Sequence, residues 1–173
     1  MGGHFSGSFD GQGYEIRDLF INRPNEAFVG LFGAIGDRGV IENIGVVNAT
    51  VTSGYAVGSL VGWNHGTVSD SCAAGMVTGD DQWAGGLTEW NDSVVGGLVG
   101  FSGGTVSKSY ATGGVTGEYD VGGLVGMSVG TVSNSYASGS VIGDHCVGGL
   151  VGYIGGIDDD GQAYPFLSWE SVS

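Results

Sequence analysis

The sequence predicts an all-β chain wound as a right-handed parallel β-helix (a β-solenoid), with about 26 residues per coil and roughly six coils. Three observations predict it. The chain repeats itself: "VGGLVGFSGGTVSKSYATGGVTG" at 95–117 is followed by "VGGLVGMSVGTVSNSYASGSVIG" at 121–143. The repeat keeps time, because Val95, Val121 and Val147 stand 26 residues apart and Thr105 and Thr131 hold the same interval. No 3.6-residue apolar pattern appears, and glycines interrupt every window that could have been helical. Repeats of 20–50 residues mean a solenoid, a propeller or an array, and a propeller blade needs about 40 residues or more. A 26-residue unit suits three short strands of about five residues joined by Gly-rich corners. Each strand then pairs with its counterpart one repeat away, at about 4.8 Å per coil. The right hand follows from the preference of parallel crossover connections.

Composition by itself would suggest something else. The chain has 173 residues, of which 38 are Gly, which alone reads as low complexity. It is also 41% hydrophobic, however, and its Val, Ile, Thr and Tyr recur at fixed offsets. A disordered chain lacks those residues because it cannot offset the entropy of ordering. The glycines therefore punctuate a fold.

In chain order, residues 1–27 read as an N-terminal coil or cap. Residues 28–155 read as the repeats, beginning with the looser copy "FVGLFGAIGDRGVIENIGVVNATVTSG" at 28–54. The interval from Val57 to Val95 is longer than the others, so 80–94 reads as an irregular loop or partial coil that could open a gap in any stacked column. Residues 156–173 read as a C-terminal cap, with Trp169 over the last core and Pro165 ending strand pairing.

Aligned copies expose what varies. After "LVG" stand Trp63, Phe101, Met127 and Tyr153, which predicts a half-buried ladder, with an exposed strip for sugar rings as the alternative. The fourth residue of "TVSxS" is Asp70, Lys108 or Asn134, so it faces solvent. Strict alternation would then expose Val106 and Tyr110 as well, so the chain is expected to bend near Lys108 and bury both. Cys72 takes the Tyr position of its copy and reads as a buried thiol. Gly97 and Gly123 are expected at crowded corners, often with positive φ.

Acids form a further column at Asp80, Glu118 and Asp144. Stacked carboxylates repel unless water, salt or a cation intervenes. The formal net charge is −14, from 18 acidic and 4 basic residues. Screening by salt is one resolution. A hard cation such as Ca²⁺, along that column or at Asp158 and Asp160, is the other. No other cofactor is implied, and nucleic acid is excluded as a partner. The loop offers Trp83 and Trp90 beside Glu89 and Asp92, a set able to stack a sugar ring and accept its hydroxyl hydrogen bonds. Asn48 and Asn91 stand in N-glycosylation sequons. No leader or membrane-spanning stretch is read, so the chain looks like an excised or processed module with no membrane insertion.

The repeats resemble the GLUG motif of large bacterial and archaeal surface and secreted proteins, some adhesin-like and some IgA-peptidase-like. The match is closest at "VGGLVGMSVGTVSNSYASGSV". The opening "FSGSFDGQGYEIRDLFI" and the closing "DGQAYPFLSW" resemble segments that flank such repeats. The resemblance implies an extracellular or cell-surface β-helical module without a defined activity. Its partners would be other copies or domains of a surface protein, and glycans. No His-Glu-x-x-His is present, and His4, His65 and His145 stand apart. The few basic residues, Arg17, Arg23, Arg38 and Lys108, are poor material for a lyase site. No catalytic residue is assigned. The expectation is a non-enzymatic adhesin, stalk or surface-fibre component. The alternatives are a carbohydrate-binding module using Trp83 and Trp90, and a polysaccharide-active lyase-like or glycosidase-like enzyme.

Overall fold

The computed structural model describes residues 4–79, 93–157 and 163–164. Among them all regular structure is strand, stacked in parallel as a β-solenoid. One coil shows the plan. Val94–Gly96 lies in one five-stranded sheet and Val99–Ser102 in a second. Thr105–Ser107, Tyr110–Ala111 and Gly114–Thr116 then lie in succession along a single 11-stranded sheet. The strands of this coil run to two to four residues rather than the expected five, because corners and bends take up the rest of it. Gly156–Ile157 and Ala163–Tyr164 form a separate antiparallel pair.

Register follows the repeat. Val29, Val57, Val95, Val121 and Val147 are cross-strand partners in order, as are Val40, Thr67, Thr105 and Thr131. Each five-stranded sheet holds one strand per turn, so the stack has about five turns rather than six. The opening segment adds two strands to the long sheet, where Ser8–Arg17 and Phe20–Arg23 both pair with Val40–Ser53, and a single parallel bridge from Phe5 to Ile35 of one five-stranded sheet. The long interval is a single turn: Val61–Asn64 pairs directly with Val99–Ser102. Among the described residues, no gap opens in the stack between these two turns.

The core is a set of columns, one residue per coil. Val95, Leu98, Val99, Val106, Ala111 and Val115 of one coil are all buried, and their counterparts above and below join the same cluster. The two five-stranded sheets approach closely because glycine lines their contact. A Cβ on Gly100 would lie 2.7 Å from both the Gly62 oxygen and the Val57 nitrogen. At the corner, a Cβ on Gly123 would meet the Gly149 oxygen and come within 2.9 Å of the Ala137 Cβ. Neither Gly97 nor Gly123 has positive φ, so crowding by backbone is what requires glycine there.

The ends of the core differ. At the N-terminal end Phe32 packs against Phe5 and Phe9, with ring centroids 5.5 and 5.3 Å apart. On the last turn, Val147 and Leu150 are 45% and 37% exposed, although Val121 and Leu124 one turn earlier are fully buried. The cap expected from Pro165 and Trp169 lies outside the described residues.

Candidate functional surface

The "TVSxSYA" segment builds the most distinctive outer surface. Asp70, Lys108 and Asn134 have φ of 48°, 48° and 50°, and all three are exposed. A left-handed residue turns the chain without continuing the strand's alternation. Val106 therefore points inward, Lys108 outward, and Ser109 rather than Lys108 resumes the inward set. The bend expected at Lys108 is present. Tyr110, expected inside, is instead 37% exposed and Tyr136 56% exposed, because the bend shifts the phase by one residue. Cys72, in the same column, is half-buried rather than buried, and both it and Cys146 are free thiols.

The bend would cost a hydrogen bond at the next amide, and a buried serine restores it. The Ser109 hydroxyl donates to the Ser107 carbonyl at 2.7 Å and accepts the Ser71 N–H of the preceding coil at 3.3 Å. Ser71 does the same with the Ser69 carbonyl and the Ile44 N–H, and Ser135 with the Ser133 carbonyl and the Ser109 N–H. This serine ladder was not foreseen. Its signal was the unvarying second Ser of each "TVSxS".

The outer column of this face runs Glu15, Gly45, Cys72, Tyr110, Tyr136. The two tyrosine rings stack, 5.0 Å apart and parallel within 3°. Lys108 lies 4.0 Å from Asp70. The Tyr110 phenol is held above its ordinary pKa. The main cause is its hydrogen bond with the Cys72 side chain, followed by charge on that thiol, desolvation and the nearby Tyr136 and Glu15. At the N-terminal edge Asp10 accepts from the Asn43 amide at 3.0 Å and the Gln12 N–H at 2.8 Å, and these bonds lower its pKa.

In one five-stranded sheet the large residues after "LVG" form the expected ladder. Trp63, Phe101, Met127 and Tyr153 are successive partners, and the Trp63 and Phe101 rings stack at 4.0 Å. Phe101 and Met127 are buried in a second apolar cluster with Ala56 and Val94. Their ring and thioether surfaces are thereby occupied, which is the half-buried reading.

Of the acidic column, Glu118 and Asp144 stand at one corner of successive coils, where the Glu118 carbonyl accepts the Asp144 and His145 N–H groups at 3.0 and 2.9 Å. The Tyr119 and His145 rings stack beside them at 4.7 Å. Among the described residues no three His, Cys, Asp or Glu side chains come together as a metal site. Asp80, Trp83, Glu89, Trp90, Asn91, Asp92, Asp158 and Asp160 lie outside the described residues. Asn48 is exposed at φ 55°, and its amide donates to Asp18 at 2.6 Å.

The sequence is similar to stretches of much longer proteins. No family model matches the sequence. Half of the chain, 89 residues, is 44% identical to Halomucin of Haloquadratum walsbyi. A 69-residue stretch, 38% of the chain, is 38% identical to a candidate Gly-rich membrane protein of Evansella cellulosilytica. The matched stretches span only 1% and 8% of those relatives' own lengths. In structure the chain resembles a candidate immunoglobulin A1 protease from Bacteroides ovatus, with a TM-score of 0.61 and 20% identity. That match covers 84% of this chain and 46% of the other. At that identity the likeness establishes the solenoid fold alone.

Proposed function

We propose that this chain is a non-enzymatic, extracellular β-solenoid module of GLUG type, serving as an adhesin, stalk or fibre component of a cell-surface protein. The observation that carries the reading is the in-register stack. The inner valine columns recur from coil to coil, so the sequence is devoted to a rigid rod, while substitutions gather in the ladder after "LVG" and on the outer positions of the "TVSxSYA" face. Two similarities support surface display: Halomucin by name is mucin-like, and the Evansella relative is named as a membrane protein. A charge of −14 suits a solvated, screened exterior. The scarcity of basic residues supports the absence of catalysis.

Immunogold labelling of intact source cells, with antibody raised against the purified module, tests display. Label on intact cells is expected, and label seen only after lysis would overturn it. Incubation with a panel of polysaccharides, followed by a reducing-end assay, tests the second part. No release is expected, and steady release would return the enzyme reading.

A further inference from the structure

The tyrosine ladder stops one coil short of where it could continue. Tyr136 covers one face of Tyr110. Towards the preceding coil the column carries Cys72 and then Gly45, and among the described residues no ring lies against that second face. The missing rung leaves a groove of about 370 Å³, whose walls include Glu15, Asn43, Asp70, Cys72, Lys108 and Tyr110. Gly45 also lines it. A Cβ there would lie 2.9 Å from the Glu15 Cγ and 3.4 Å from the Cys72 Sγ.

We infer that this notch is a binding site for a single neutral pyranose ring, stacked on the open face of Tyr110 in the place of the missing ladder rung. Three features select that chemistry. The volume falls at the small end for ligand sites, enough for one ring. The Tyr110 face offers an apolar platform for the C–H face of a sugar. Around it stand carboxylates, an amide and an ammonium, able to take and give hydrogen bonds to a rim of hydroxyls. The charges are already matched, Asp70 with Lys108 and Glu15 with Arg17, so an ionic guest would have to break a pair on entering. None of this depends on where the module is displayed.

The test is an NMR titration of the isotope-labelled chain with four methyl pyranosides: glucoside, galactoside, mannoside and N-acetylglucosaminide. At least one should shift the amides of Gly45, Cys72, Lys108 and Tyr110. Cys72→Tyr supplies the missing rung and should weaken that binding about tenfold or more, as should Tyr110→Ala, while Tyr136→Phe keeps it. Thermal melting checks that Cys72→Tyr folds; should it not, the exposed Tyr110→Ala carries the test. The proposal is overturned if none of the four sugars shifts these amides. It is equally overturned if binding survives both substitutions, or if p-cresol binds the notch and every pyranoside fails.

Discussion

Ser109 and Tyr110 are neighbours in sequence and live under different rules. Ser109 faces inward, where its hydroxyl closes hydrogen bonds to its own coil and to the one before. The same residue type stands at that level in each regular coil because each hydroxyl accepts from the amide of its counterpart in the coil before. Tyr110 faces outward, and its column changes from Cys to Tyr without disturbing the pairing of the strands that carry it. A stacked fold thus divides every coil into positions bound by their equivalents above and below, and positions free to differ.

That division can be broken most severely at glycine. Gly123→Val forces a branched side chain against the Gly149 carbonyl and Ala137, and should cost more than about 2 kcal/mol in chemical denaturation. Melting like the parent chain would mean that the corner is not crowded. Ser109→Ala should cost about 1–3 kcal/mol, since it strands the buried Ser71 N–H. Threonine at 109 should recover part of the loss.

Outer positions should respond more weakly. Lys108→Asn should stabilise by up to about 1 kcal/mol, because Asn tolerates the left-handed backbone better than Lys. The exposed ion pair with Asp70 that it gives up contributes less than this strain. A loss of stability would show that the pair outweighs the backbone. The smallest effect concerns Asp10. Its folded pKa lies below its ordinary value of 3.8, so its contribution is present above that pH and is lost as pH falls through the folded value. Carboxyl NMR should place its titration below that of free Asp, and Asn43→Ala should return it towards the ordinary value.

Much of this was legible beforehand. The 26-residue interval gave the register of Val95 with Val121 and of Thr105 with Thr131, because identical residues stack in a solenoid. The bend at Lys108 was readable because solvent-facing types at that position conflicted with apolar Val106. What the bend does to Tyr110 was not readable. A left-handed residue changes the inward phase, and neither composition nor spacing records φ. Cys72 was misread with it, since a thiol among tyrosines looks buried only if tyrosines are. Among the candidate site residues, the stacking of Glu118 over Asp144 followed from the beat alone, whereas the notch beside Tyr110 arises from small side chains, which give a sequence nothing to flag.

The in-register columns have an evolutionary consequence. Because the regular coils present the same valines, glycines and serines to one another, duplicating or deleting one of their 26-residue units joins surfaces that already fit. Neither event requires a second mutation to repair a junction. Rod length can therefore drift by whole turns between generations, at little cost to folding, while each copied turn arrives with outer positions free to diverge.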